Sequence, residues 1–469
     1  MTETQLSPEV LAFVKRGEQM QASASASRKT MQKKKFDTIA VHGIYNMEAA
    51  LANQGSILEP AYLSPAQHFE NSDHMEAALA YLMPAWAYSR IANPTIGYLE
   101  ETLALLEGYG YPGETSACVT ASGMSAIFMA TNPFLSGSGP KNIVASAKCY
   151  GGTFMLFQER FANERGVEVR WVSNPQDLEE WEKYIDKNTR FVFGEMPSNP
   201  GLSMMDIEGV AKLAHQKAGM SGAECPLIID STVATPALMR PLCLGADIVV
   251  HSLSKSITSS GMAIAGALIA RHNLSTKIGP DELRENFALY VKLLPFRDHG
   301  PSLSPFSALM ILNDLRTLRS RMDFFSKNTM IVAKFLAAQP QVEDVRYPGL
   351  ENFSGYELAT KTMWLVDGED AASVKDKKPV NRYGHMLGFT VKGGAKQTRK
   401  VFDAFRMIWR ATDLGRVKSV ATIPAISTHQ QQGDAGRELA QVPENLIRLC
   451  VGGEHPDDVI ADLEQALQA

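Results

Sequence analysis

Ala246-Asp-Ile-Val-Val-His-Ser-Leu-Ser-Lys-Ser256 is the stretch whose reading decides the fold. Asp247-Ile-Val-Val250 is a short apolar run closed by small polar residues, the signature of a buried strand. Lys255 follows directly, and Ser259-Ser-Gly-Met-Ala-Ile-Ala-Gly266 beyond it carries no charge. Desolvation in such surroundings disfavours an ammonium and favours the free amine that a Schiff base requires. Upstream, Cys225-Pro-Leu-Ile-Ile-Asp230 is a second apolar run, and it ends in a carboxylate. A lysine after a strand is also an ordinary solvated loop residue, and an aspartate at a strand end an ordinary turn or cap residue.

Together the two residues have complementary uses. Set at the ends of parallel strands, Asp230 pairs with the nitrogen of a pyridine ring while Lys255 holds an aldehyde carbon of the same ring. That is the layout of a pyridoxal 5′-phosphate (PLP) site. Ala121-Ser-Gly-Met-Ser-Ala126 follows the apolar Ala117-Cys-Val-Thr120 and opens a helical pattern. Ser122, Gly123 and Met124 then present backbone N–H groups at a helix start, which suits a phosphate. Ser252 and Ser254 flank the lysine with hydroxyls for the same phosphate. A glycine turn before a helix also serves simply as a tight bend.

Working outward, apolar runs recur at Asn142-Ile-Val-Ala-Ser146, Glu168-Val-Arg-Trp-Val172 and Arg190-Phe-Val-Phe-Gly194, with helical patterns between them. The alternation from Asn93 to Pro305 predicts an α/β fold with parallel strands and right-handed crossovers. Ser304-Pro305 is a helix start, Ser as N-cap and Pro at the first position. The helical pattern after it, to about Ala338, opens a smaller C-terminal α/β domain. The expected division is 1–92 for a tail and arm, 93–305 for a large domain and 306–469 for the C-terminal domain. Residues 1–35, with the Ala-Ser-Ala-Ser-Ala-Ser run and Lys33-Lys34-Lys35, read as a flexible tail, a helix packed on a neighbouring subunit being the alternative. Residues 366–383, rich in Asp, Lys and Gly, read as an exposed loop.

At 469 residues the chain is too long for one ordinary core. A net charge of −5 gives no reason to invoke nucleic acid or a membrane. The polar N-terminus lacks a signal peptide's apolar centre, and the five scattered cysteines form no Cys-x-x-Cys pair. The ten histidines show no zinc-like spacing, so no metal is expected. The expectation is a cytoplasmic enzyme.

Further motifs make the reading specific. Tyr88-Ser-Arg90-Ile-Ala-Asn93-Pro94-Thr95, Cys149-Tyr150-Gly151-Gly152-Thr153, Pro197-Ser-Asn199-Pro200, Ile229-Asp230-Ser-Thr232 and His251-Ser252-Leu-Ser254-Lys255 occur in this order. They are followed by Lys418-Ser419, Pro424-Ala-Ile-Ser-Thr-His429 and Arg448-Leu-Cys-Val-Gly452. The series, from about residue 36 to the C-terminus, resembles the cysteine/methionine-metabolism family of PLP enzymes. The resemblance implies fold type I, the aspartate aminotransferase-like architecture with a mainly parallel sheet. It implies that Tyr88 and Arg90 bind the cofactor phosphate of a neighbouring subunit, with the arm of residues 36–92 reaching into that protomer. Tyr150 then stacks on the ring and assists catalysis, Asn199 lies near its 3′-oxygen, and Asp230 with Thr232 serves the ring nitrogen. Ser419 and Arg448, with Asn199, hold the substrate carboxylate. A homo-oligomer follows, a tetramer with sites shared between subunits.

Each role has a physical reason. Arg448 offers a planar two-donor fork for a carboxylate, Tyr150 an aromatic face, and a charged Asp230 keeps the pyridine nitrogen protonated. The plainer readings are surface or interface positions for Tyr and Arg, and a turn at Asn-Pro.

Within the family, Asn71-Ser-Asp73-His74, Ser304-Pro-Phe306 and Asn445-Leu-Ile-Arg448 resemble the O-acylhomoserine sulfhydrylase branch. Lys418 stands where many cystathionine enzymes carry a glutamate that meets a distal ammonium. A positive charge there favours a neutral or anionic distal group. The expected reaction is γ-replacement on an O-acylhomoserine, above all O-acetylhomoserine, by sulfide or a thiol, giving homocysteine or methionine. A γ- or β-lyase and a cystathionine γ-synthase are the alternatives. Ser256 and Ser259-Ser260-Gly261 depart from the family's pattern after the lysine, on a segment expected to form the floor of the site.

Overall fold

The computed structural model describes residues 6–217, 223–368 and 380–469. Two sheets organise it. The larger comprises β1 (Thr115–Thr120), β2 (Asn142–Ser146), β3 (Glu168–Val172), β4 (Thr189–Glu195), β5 (Leu227–Asp230), β6 (Ile248–His251) and β7 (Gly266–Arg271) in the order β1-β7-β6-β5-β4-β2-β3. From β3 to β6 all pairings are parallel. Only β7 runs against its neighbours, β6 and β1. This is the mainly parallel sheet of fold type I. Its central strands are buried along their whole length, as continuous apolar runs covered by helices on both faces must be.

One buried carboxylate ties the far ends of three strands. Asp247 accepts from Leu227 N (2.8 Å), Ser275 N (3.0 Å), Arg271 and His215 (2.6 Å). Burial alone would raise its pKa, but these donors outweigh it and hold the carboxyl below its usual range.

The second sheet has the order β10-β11-β12-β9-β8, from β8 (Val342–Arg346), β9 (Met386–Val391), β10 (Trp409–Arg410), β11 (Val420–Thr422) and β12 (Leu446–Cys450). It is antiparallel except for the β10–β11 pair. The helical pattern after Ser304 becomes two helices, Pro305–Leu315 and Leu318–Ala337. Ser304 occupies the N-cap with extended backbone, but its side chain makes no capping bond.

The described part of the first 35 residues, from residue 6 on, differs from the flexible tail expected. Pro8–Met31 is one α-helix, capped by Ser7, whose hydroxyl accepts from Val10 N (3.1 Å). The helix has no apolar stripe over its Ala-Ser run, so its order comes from tertiary contact. Val10 packs with Ala77, Ala78 and Met83, while Gly17 lies so close to Met83 that a Cβ would stand 2.5 Å away. Near its other end Arg28 pairs with Glu101 and bonds Thr115. The arm beyond it holds only short helices, Phe36–His42, Met47–Ala52 and Ser72–Leu79. Met47, Leu51, Ile57 and Leu63 on this arm are largely exposed.

Residues 369–379 of the expected exposed loop lie outside the described residues. Its flanks are anchored rather than loose: Asp367 accepts from Phe36 N (3.0 Å) and from the Tyr109 hydroxyl, and Leu365 N bonds Val380 O. Among the described residues no helix is long and apolar enough to cross a membrane.

Candidate active site

The carboxyl ends of the parallel strands share one edge of the large sheet, where open α/β sheets bind ligands. Glu195 ends β4, Asp230 ends β5, and His251 ends β6 just before Ser252–Lys255. A cavity of about 470 Å³ opens there. Eleven residues picked out from the sequence line it: Ser122, Gly123, Met124, Tyr150, Asn199, Asp230, Thr232, Ser252, Ser254, Lys255 and Arg448.

The turn after β1 is built for an anion. Ser122 caps the helix Gly123–Thr131, its hydroxyl accepting from Ser125 N at 3.1 Å. The N–H groups of Gly123 and Met124 have no earlier helical turn to bond to. A side chain at Gly123 would meet Ser252 Cβ at 2.7 Å, so only glycine lets this turn press against the lysine-bearing segment. Ser254 both donates to Ala265 O (3.1 Å) and accepts from Ala265 N (2.9 Å), which fixes the loop behind the lysine. Thr232 Oγ1 accepts from Ser252 N at 2.8 Å, linking the ends of β5 and β6.

Asp230 presents the counter-charge. Its Oδ1 accepts from Thr232 N (3.0 Å) and Thr232 Oγ1 (2.6 Å), leaving Oδ2 without a donor among the described residues. Burial raises the pKa of this carboxyl. A pyridinium N–H is the donor that such a half-satisfied buried carboxylate lacks, so the residues fit a PLP ring.

The sequence reading missed Glu195, which is buried against the same cavity. It accepts from Tyr150 N and from Asn199 N, each at 2.6 Å, and so holds two predicted site residues by their backbones. Burial and the charge of Asp230 push its carboxyl well above the usual range. As a carboxylate closing an apolar strand, it carried the same signal as Asp230.

Arg448 is buried, yet among the described residues no carboxylate side chain bonds it. Its Nη1 donates to Asn199 Oδ1 and its Nη2 to the carbonyl of Asp413, both at 2.8 Å. Both partners are neutral, so the charge stays available to an incoming carboxylate. Asp413 and Arg416 also line the cavity and were not anticipated. They lie in a short loop between β10 and β11 with no periodic pattern to betray them. Asp413 Oδ1 accepts from Lys255 Nζ at 2.7 Å, and its other oxygen pairs with Arg416.

Four predicted residues lie outside the cavity lining. Lys418 is exposed, its ammonium 4.7 Å from the centroid of the Trp409 ring and outside the cavity lining. Ser419 is fully buried and bonded to Glu454 through both N and Oγ (2.7 and 2.8 Å), which ties down the strand beside Arg448. Tyr88 and Arg90 sit together on the surface, the guanidinium 5.5 Å from the ring centroid and bonded to the Arg297 carbonyl. The Ser256 segment is not the cavity floor either. Ser256 is buried against His385 (3.3 Å), Ser260 bonds Asp314, and only Ile264 of this stretch reaches the cavity.

Comparison with known proteins places this geometry. The family described as Cys/Met metabolism PLP-dependent enzyme matches residues 37–468. The chain is 33% identical to an O-acetyl-L-homoserine sulfhydrylase of Corynebacterium glutamicum, over 92% of this chain and 97% of that protein. It is 35% identical to an L-methionine gamma-lyase of Pseudomonas putida, with the same coverage. Among solved structures it resembles a putative O-acetylhomoserine (thiol)-lyase of Campylobacter jejuni carrying N′-pyridoxyl-lysine-5′-monophosphate. That likeness has a TM-score of 0.80 and 33% identity, covering 93% of this chain and 100% of the other.

Proposed function

Because the chain belongs to the Cys/Met-metabolism family of PLP-dependent enzymes, we propose that it replaces the γ-acyloxy group of an O-acylhomoserine with sulfide or a thiol. O-acetylhomoserine is the substrate put forward, giving homocysteine, or methionine from methanethiol. One observation carries the choice over cystathionine: every carboxylate lining the cavity already has its use. Asp413 is paired with Lys255 and Arg416, Glu195 is bonded to two backbone N–H groups, and Asp230 is committed to the ring nitrogen. None remains for the distal ammonium of cystathionine, and the other walls include Ile127, Val233, Ile264 and Leu414. A neutral ester suits such a cavity, whereas an unpaired ammonium is penalised on entering it.

When bound, PLP supplies a sink for the electron pair left at a substrate Cα. Arg448 fixes the substrate carboxylate and so the direction of the Cα–H bond. Lys255, freed by the substrate's amino group, takes the Cα proton. Tyr150 would cover the ring, and Glu195 holds Tyr150 in place through its backbone N–H. Loss of a Cβ proton lets acetate leave from Cγ, sulfide adds there, and the protons are returned at Cβ and Cα. Among the phosphate-directed residues Ser122, Gly123, Met124, Ser252 and Ser254 there is no cation. In this reading a second copy of the chain supplies it, through the exposed Tyr88 and Arg90, and its arm covers its own apolar side chains on the neighbour.

The test is the specificity ratio of the PLP-loaded protein. kcat/KM for O-acetylhomoserine with sulfide is expected to exceed that for cystathionine cleavage by about 100-fold, roughly 3 kcal/mol. Equal values would refute the assignment.

A further inference from the structure

We propose that Asp413 is the positioning residue for the amine of Lys255, holding it within reach of the substrate Cα while it is off the cofactor, both before and after it takes the proton. The proposal rests on the reading of Lys255 as the Schiff-base lysine and adds a second residue to its chemistry.

The loop that carries Asp413 is shaped around the lysine. Asp413 Oδ1 takes Lys255 Nζ at 2.7 Å and Leu414 N at 2.9 Å. Arg416 binds the other oxygen and is itself anchored to Thr258 O at 3.0 Å, three residues beyond the lysine. Between them Gly415 has φ +74°, and a Cβ there would stand 2.4 Å from Ser256 N. The glycine is therefore required twice over, for its backbone conformation and for a close approach to the residue after Lys255. The backbone carbonyl of the same Asp413 accepts from Arg448 Nη2. One residue thus sets the amine and the carboxylate-binding guanidinium in a fixed relation.

The carboxylate is also kept charged. Burial opposes this, but Lys255 and Arg416 outweigh it and hold Asp413 below the usual carboxyl range. Asp413 accordingly accepts hydrogen bonds and takes no proton itself. In the step concerned, the Cα–H bond of the substrate breaks and its proton forms a new N–H bond on Lys255; bound PLP would supply the sink for the electron pair left at Cα. The resulting ammonium docks on Asp413 Oδ1. There it remains in reach of the substrate, ready to return the proton, rather than swinging into solvent.

Cα–H exchange isolates that step from γ-chemistry. PLP-loaded enzyme is incubated in deuterium oxide with L-2-aminobutyrate, which has no γ leaving group, and loss of the Cα proton signal is followed by NMR. Asp413→Asn is expected to keep its Schiff-base absorption and exchange about 100-fold more slowly, the scale of a misplaced catalytic group. Asp413→Glu, which retains the charge, is expected to recover part of the rate. Wild-type exchange in loaded Asp413→Asn overturns the proposal. If Asp413→Asn fails to load, recovery of both loading and exchange in Asp413→Glu supports it. Failure of Asp413→Glu as well would make Asp413 merely structural, and would overturn it. Schiff-base absorption persisting in Lys255→Ala would instead place the fault with the lysine assignment.

Discussion

Lys255→Ala, supplied with PLP, is expected to show no Schiff-base absorption and to lose γ-replacement by about 10⁴-fold or more. Lys255 is the one lysine among the described residues that line the cavity, so no second amine stands in the place it leaves. Two roles disappear together, the covalent tether and the base that takes the Cα proton. The fold should survive the change. Lys255 is partly exposed, and Asp413 keeps Arg416 and Leu414 N as partners. An absorbance spectrum and a product assay on the same preparation check both losses, and unchanged turnover would sink the account.

Arg448→Ala is expected to lower kcat/KM for the O-acylhomoserine by about 10²–10³-fold, chiefly through KM. That range is the cost of truncating one partner of a buried charge-assisted contact, roughly 3–4 kcal/mol. Arg448→Lys should recover little, because a single ammonium cannot reproduce two Nη groups directed at Asn199, at Asp413 and at a carboxylate. Schiff-base absorption should persist, since Asp230 and Lys255 keep their own partners. The contrast is Lys418→Ala, which removes a side chain lying on Trp409 and should leave kcat/KM within about twofold. Steady-state kinetics on the three variants decide the matter; a large loss at Lys418 with little at Arg448 would reverse the assignment.

What the sequence displays and what it hides follow from where each residue sits. Asp230 and Lys255 close apolar strands, and a charge at the end of such a run is visible because everything before it is buried. The same logic would have found Glu195 at the end of β4, had the strand been carried one residue further than Gly194. Asp413 and Arg416 belong to a short loop whose only local mark is Gly415, and their meaning depends on a contact with Lys255 across 158 positions. Lys418, two residues past Arg416 in the same loop, sits on the Trp409 ring outside the cavity lining, a placement that no local pattern marks. The N-terminal helix misled for another reason. An Ala-Ser repeat has no apolar stripe, and what orders it is packing at Val10 and Gly17 and the reach of Arg28 to Glu101, none of which is local. The parallel sheet, by contrast, was legible throughout, since every central strand is a continuous apolar run between helical patterns.

The most direct test of γ-replacement is the product formed from O-acetylhomoserine by the PLP-loaded protein with and without sulfide. The account predicts homocysteine when sulfide is present and little 2-oxobutanoate when it is absent. Rapid 2-oxobutanoate formation regardless of sulfide would contradict it and make the protein a γ-eliminating lyase.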